Sequence, residues 1–248
     1  MKLKSYAKIN LCLDILGRDK KTGFHFIKTI FHEIPHLYDE IEITQSKKDE
    51  IIINKPIPKE ENLAYKALIL LKKELKIKKC VQIKIKKNIP ISSGLGGGSS
   101  NAATVLNGLN KLWKLKLSDK RLMELGAKLG MDVPFFIVGG TALGTHFGEK
   151  ITPLNPLKGI NFKFKFSKKI PKKDKSKNAY KNINLKKCAK NSQKTQILLK
   201  ELNKKTPNKK TIISCFHNDF EIFDKIALQK NYHLSGAGNA KFSIIISK

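Results

Sequence analysis

The sequence predicts a mixed α/β protein, and three stretches carry that prediction. Residues 80–87 (CVQIKIKK) alternate Val81, Ile83 and Ile85 with Gln82, Lys84 and Lys86, the period of a half-buried strand. Residues 102–113 place Ala102, Ala103, Val105, Leu106, Leu109, Leu112 and Trp113 on one face of a helix. Between them lies PISSGLGGGSSNAA, residues 90–103, whose glycines and serines interrupt both patterns.

The remaining elements follow from the same periods. Residues 9–16 (INLCLDIL), 40–44 (EIEIT) and 51–53 (III) read as strands. Residues 62–75 (NLAYKALILLKKEL) have helical spacing behind Asn62, a capping residue. Residues 118–129 form a second helix after Ser118, closed by Gly130. Residues 163–190 hold twelve lysines and one acid, Asp174, and are expected to contain exposed loop. A helix over 194–203, a strand at 211–216 (TIISCF), a short helix near 218–228 and a last strand over 242–247 complete the chain, which has no internal repeat.

With 248 residues, 40% of them hydrophobic, the chain is long enough for one large or two small cores. Its formal charge of +30 raises a nucleic-acid reading. Against it, Arg18 and Arg121 are the only arginines, and the lysines are scattered rather than clustered. We therefore expect a well-solvated surface and no nucleic-acid partner. Cys12, Cys80, Cys188 and Cys215 form no C-x-x-C pair, which fits reduced thiols in the cytoplasm better than a zinc ribbon or a disulfide framework. No apolar run approaches the roughly 20 residues that cross a bilayer, so no membrane partner is expected.

The glycine-rich loop sits between a strand and a helix, where bare backbone and the free amides of a helix start make an anion site. Phosphate is the natural guest, and Ser92, Ser93, Ser99 and Ser100 add hydroxyl donors. The loop is not a P-loop, because Ser99 and Ser100 stand where G-x-x-x-x-G-K-[ST] requires a glycine and a lysine. Nor is it the dinucleotide fingerprint, since Ser99 replaces the third glycine. Farther on, LGMDVPFFIVGG puts Asp132 at a helix start, where the dipole favours a carboxylate able to accept a proton. Residues 32–36 (HEIPH) match the H-E-x-x-H zinc-protease pattern. Pro35 lies inside the turn that would join the two histidines and costs a helix about 3 kcal/mol, so strand and turn is the better reading.

Five stretches in order resemble the GHMP kinase superfamily, and within it the kinases of a cytidine-diphosphate-linked methylerythritol. They are YAKINLCLDI at 6–15, Gly23-Phe24-His25, the G-L-G-G-G-S-S loop, the G-x-D-V-P-F-F pattern at 130–136 and S-G-x-G at 235–238; NDFE at 218–221 is similar as well. The resemblance implies an α/β (α+β) protein of two domains. The first, 1–147, has the ribosomal protein S5 domain 2-like fold and carries the loop; the second, 148–248, is a C-terminal α/β domain. It also implies ATP and Mg²⁺ as cofactors, with no metal ligand assigned, and a soluble cytoplasmic monomer or weak homodimer acting on a small molecule. Other GHMP-type kinases, acting on mevalonate, homoserine or a sugar, are the nearest alternative, and a basic nucleic-acid-binding protein is the more distant one.

Carried over residue by residue, the resemblance makes Lys8 and Asp132 the catalytic pair. Pro90, Ile91, Ser92, Ser93, Gly94, Leu95, Gly96, Gly97, Gly98, Ser99 and Ser100 fall on the ATP triphosphate, completed by Gly236 and Gly238, with Asn62 and Lys87 near the adenosine. Asn10, Phe24, His25 and Tyr180 fall on the substrate side, His25 and Tyr180 at the cytosine ring. Phe24 stands where the family usually has tyrosine, which keeps stacking but removes a phenol hydrogen bond. Ser92 and Ser93 replace small apolar residues, and Asn239 replaces serine or alanine.

Overall fold

The structure, a computed structural model, describes residues 1–166, 175–223 and 232–245. It groups into two compact units interleaved along the chain. One is Met1–Ala7, Ile34–Ile91 and Gly96–Gly139; the other is Lys8–Glu33, Ser92–Leu95 and Gly140–Lys248. Two long strands, β1 (Lys2–Arg18) and β2 (His25–Ser46), therefore contribute residues to both. The glycines at 144–148, which suggest a division at 147/148, lie inside the second unit.

In the first unit, β2 pairs antiparallel with β4 (Cys80–Lys86), and β4 pairs in parallel with β3 (Glu50–Ile53). The alternation of β4 is realised, with Val81, Ile83 and Ile85 buried and Lys84 and Lys86 exposed. Four helices accompany this sheet: α1 (Leu63–Leu75), α2 (Gly97–Leu112), α3 (Asp119–Ala127) and α4 (Val133–Val138). Asn62 caps α1 by accepting from the Ala64 amide at 2.9 Å, and Ser118 caps α3 by accepting from the Arg121 amide at 3.3 Å. Helix α2 packs against α1 and α4, and the core joins Ile43, Ile83, Leu68, Leu71, Leu106 and Leu109.

In the second unit, β5 (Thr141–Thr145) pairs antiparallel with residues 29–32 of β2 and with β6 (Lys150–Pro153). A further sheet has the order β7-β10-β9, from β7 (Asn161–Lys165), β9 (His233–Leu234) and β10 (Lys241–Ile245). Helices α5 (Lys175–Lys181), α6 (Ser192–Leu202) and α7 (Lys209–Ser214) belong to the same unit. The short strand β8 (His217–Asn218) runs parallel to β1, with Cys12 opposite His217 and Leu13 opposite Asn218.

Several expectations change. Residues 209–214 are helical rather than extended, because Asn208 caps the Thr211 amide at 3.1 Å and Ile212 alone of its turn is buried. An apolar run this short does not reveal its period. The lysine-rich stretch contains β7 and α5, with residues 167–174 outside the described set. Asp219–Phe223 is a 3₁₀ turn, while residues 224–228 of the expected short helix and 246–247 of the last strand lie outside the described residues. The HEIPH residues form part of extended β2, which separates the α-carbons of His32 and His36 by about 13 Å.

A buried polar cluster ties β8 to β1. His217 donates from Nε2 to Asp14 Oδ1 at 2.9 Å and from Nδ1 to the Cys215 carbonyl at 2.8 Å, and Thr195 donates to Asp14 Oδ2 at 2.5 Å. With a carbonyl facing one ring nitrogen and a carboxyl the other, the pocket favours the imidazolium, in which both nitrogens donate. Burial alone would lower the His217 pKa; the Asp14 hydrogen bond, the Cys215 carbonyl and the Asp14 charge outweigh it and raise the value above its ordinary 6.5. A raised folded-state pKa contributes stability that is complete below 6.5 and is lost as pH climbs through the raised value. Thermal unfolding across that range is expected to show a falling melting temperature in the wild type and a flatter profile in His217→Gln.

Candidate active site

In the first unit the site is built from the start of α2. Gly96 takes the left-handed conformation (φ 71°, ψ 15°) and accepts from the Ser100 amide at 2.8 Å, so α2 begins immediately after it at Gly97. Gly96 supplies no side chain to cap the sixteen-residue helix, whose first-turn amides and dipole make a positive end at Gly97, Gly98 and Ser99. The turn at Gly130 is close, since a Cβ there would lie 3.9 Å from Ser99 Oγ. That turn leads to Asp132, the N-cap of α4, which is half-buried and whose carboxylate does not cap its own helix.

Beneath this helix start runs a buried polar network. The Lys87 ammonium bonds Asp39 and donates to Asn101 Oδ1 at 3.0 Å; Asn101 Nδ2 donates to Asp39 at 2.9 Å and to Ser5 Oγ at 2.8 Å; Ser5 donates to Ser100 Oγ at 2.7 Å. Asp39 also accepts from the amides of Asn88 (2.7 Å) and Ile89 (2.8 Å), which fixes the chain entering Pro90. Burial pulls the Lys87 pKa below the usual lysine range, and Asp39 opposes the shift. The structure thus spends the ammonium of Lys87 and the Oδ1 of Asn62 on bonds inside the unit. Ile91 and Ser92 are exposed.

In the second unit two glycine stretches interlock. A Cβ on Gly94 would fall 2.0 Å from the Ser235 carbonyl oxygen, and one on Gly238 would fall 1.9 Å from the Ser93 carbonyl oxygen. Ser235 Oγ donates to the Gly94 carbonyl at 2.9 Å, the Ala240 amide to that of Ser93 at 2.9 Å, and the Lys8 amide to that of Leu95 at 3.0 Å. Gly94 and Gly238 are therefore glycine because backbone meets backbone. Gly238→Ala is expected to lower stability by about 1–3 kcal/mol, as overpacking does, measured by urea unfolding.

Lys8 is 3% exposed and donates from Nζ to Asn10 Oδ1 at 2.7 Å. Asn10 Oδ1 also accepts from the Gly236 amide at 2.9 Å, and its Nδ2 donates to Thr29 Oγ1 at 2.8 Å. Aromatic rings gather elsewhere in the unit. Phe24 is 47% exposed beside Phe147 at 5.4 Å; His25 lies 5.2 Å from Tyr180, which stands edge-on to Phe220 at 4.8 Å. Burial first, and the charge of Arg18 second, lower the His25 pKa, which keeps the ring neutral with one donor and one acceptor.

The residues missed in the sequence are those that hold the others. Asp39, Thr29 and Phe147 carry no local signal, whereas Asn101, Ser235 and Asn218 stand inside motifs already noted.

Residues 62–140 match the family described as GHMP kinases N terminal domain. A crystal structure of 4-(cytidine 5'-diphospho)-2C-methyl-D-erythritol kinase superposes with a TM-score of 0.72 at 26% identity, over 98% of this chain and 89% of the other. The chain has the GHMP kinase fold. The Streptococcus pneumoniae phosphomevalonate kinase superposes equally well (TM-score 0.72, 100% of this chain, 92% of that one), but at 15% identity it shares the fold alone. Among curated GHMP-type relatives, 4-diphosphocytidyl-2-C-methyl-D-erythritol kinase from Caldicellulosiruptor bescii is 48% identical over 165 residues, 65% of this chain and 57% of that protein. The same-named protein of Clostridioides difficile is 48% identical over 161 residues, 63% of this chain and 54% of its own length. The chain thus matches a little over half the length of these relatives.

Proposed function

We propose that this chain transfers the γ-phosphoryl group of Mg-ATP to the 2-hydroxyl of 4-diphosphocytidyl-2-C-methyl-D-erythritol, a step of non-mevalonate isoprenoid biosynthesis. The observation that carries the reading is the bare, positive start of α2 at Gly97, reached through the glycine loop and lying beside the turn that bears Asp132. A triphosphate needs such a cradle, and an alcohol acceptor needs a base beside it.

In this reading residues 90–100 hold the triphosphate, with Gly236 and Gly238 completing the cradle and Asn62 and Lys87 near the adenosine. Asp132 orients and deprotonates the hydroxyl, and Lys8 offsets the charge that develops on the moving group. Asn10, Phe24, His25 and Tyr180 serve the substrate, His25 offering a cytosine edge both hydrogen-bonding senses. Mg²⁺ neutralises phosphate charge when it is bound. Among the described residues no group of three or more His, Cys, Asp or Glu side chains forms a cage for it, so we assign no ligand and derive no step through it. We assign the loop to a kinase domain spanning 1–147 and the rest to a C-terminal domain, 148–248, in a monomer or weak homodimer of the cytoplasm. No helix among the described residues is long and apolar enough to cross a membrane.

Phosphorus NMR of the chain with ATP and the cytidyl substrate tests this directly. A new phosphomonoester resonance with stoichiometric ADP is expected. Turnover of mevalonate, homoserine or a sugar instead, with the cytidyl compound untouched, refutes the substrate assignment.

A further inference from the structure

The NDFE tetrapeptide at 218–221 stood out in the sequence, yet no step of the proposed reaction uses it. The structure assigns Asn218 a positioning role: it sets the Lys8 ammonium through the backbone of Gly236 and the side chain of Asn10. This inference rests on the kinase reading for its meaning, though not for its geometry.

Asn218 is 4% exposed and its amide is fully used. Nδ2 donates to the Leu234 carbonyl at 3.0 Å and to the Gly236 carbonyl at 2.9 Å, while Oδ1 accepts from the Phe220 amide at 3.0 Å. The two carbonyls flank Ser235, so one nitrogen holds both sides of the turn. Gly236 within it is left-handed, at φ 53°. A turn held this way aims the Gly236 N–H at Asn10 Oδ1 (2.9 Å), the same oxygen that receives the Lys8 ammonium at 2.7 Å.

The orientation of Asn10 is fixed by its other neighbour. Thr29 Oγ1 donates its proton to the Cys12 carbonyl at 2.6 Å, so toward Asn10 it is an acceptor, and only the NH₂ end of Asn10 satisfies it. The oxygen must then face Lys8 and Gly236. Without Asn218 the carbonyls on both sides of Ser235 lose their side-chain donor, the turn is left to the Gly238 amide on the Ser235 carbonyl (3.1 Å) and the Ser235 amide on the Ala240 carbonyl (3.1 Å), and the Gly236 N–H is aimed less firmly at the Asn10 oxygen.

Asn218 is itself anchored on all sides. Its amide donates to Glu221 Oε2 at 3.3 Å, Glu221 Oε1 accepts from the Leu234 amide at 2.9 Å, and the preceding residue is His217, locked to Asp14. Aspartate, nearly the same shape, has no proton for either carbonyl and would set a carboxylate against two oxygens. The prediction is therefore specific to the NH₂ group.

Two measurements on the full chain decide the matter. The first is steady-state kinetics of Asn218→Ala and Asn218→Asp, normalised to ATP-binding stoichiometry so that only folded molecules count. We expect kcat to fall about 10–100-fold, the cost of a small misplacement at the reacting centre, with both KM values nearly unchanged. A normal kcat, or raised KM values at constant kcat, overturns the proposal. The second is reductive methylation read by mass spectrometry, which needs no turnover. Lys8 is expected to be protected in the wild type and to react about tenfold faster in Asn218→Ala, as for a locally opened site, while Lys87 stays protected and reports that the first unit is intact. Unchanged Lys8 labelling overturns the proposal. A wild type that protects Lys8 but phosphorylates nothing instead refutes the kinase reading.

Discussion

Asp132→Ala is expected to bind ATP normally and to lose about 10²–10⁴ in kcat, the worth of a general base. The backbone that carries this carboxylate has anchors of its own. The turn is closed by the Val133 amide on the Gly130 carbonyl at 3.1 Å, and α4 is seated by the buried Val133, Pro134 and Phe135. The Asp132 side chain makes no cap bond to α4, so its removal takes no cap from that helix. Asp132→Asn keeps the shape, accepts no proton and should fall as far as alanine. Single-turnover kinetics beside calorimetric ATP titration separate the two quantities. Near-normal turnover in either variant removes Asp132 from the role of base.

Lys87→Met is expected to destabilise the fold by about 3–5 kcal/mol, because it strands a buried carboxylate. The Asp39 side chain is 0% exposed and that of Lys87 is 4% exposed, so water cannot replace the lost ammonium. The two amides of Asn88 and Ile89 and the Asn101 side chain still donate to Asp39 but carry no charge. Adding Asp39→Asn to Lys87→Met should recover a large part of the loss, since replacing both members of a buried pair costs less than breaking it. Urea unfolding without nucleotide measures this apart from any contact of Lys87 with ATP. Equal stability of Lys87→Met and wild type would show that the pair contributes nothing to folding.

Where one face of an element is buried and the other wet, the sequence declared it. Val81, Ile83 and Ile85 against Lys84 and Lys86 give β4, and Asn62 and Ser118 mark the starts of α1 and α3. The helix after the glycine loop was legible for the same reason. Residues 161–165 show how charge hides a period: Phe162 and Phe164 alternate with Lys163 and Lys165, and the lysines crowding residues 163–190 mask the alternation. TIISCF failed in the opposite direction, its β-branched residues outweighed by the Asn208 cap. The loop residues of the site were legible from their motifs. Asp39 and Thr29 were not, because a long-range hydrogen bond leaves no trace in the local pattern.

The second unit draws on both ends of the chain, and this bears on how the protein is made. Residues 8–18 of β1 find β8 as their parallel neighbour at His217 and Asn218. On a ribosome adding about 5–20 residues per second, the roughly 200 residues from the end of β1 to β8 take on the order of 10–40 s to appear, and until then that edge of β1 lacks this partner. Such high contact order makes folding slow and exposes an apolar strand meanwhile. Trigger-type chaperones that shield nascent strands should therefore raise the yield of this chain more than its modest length suggests.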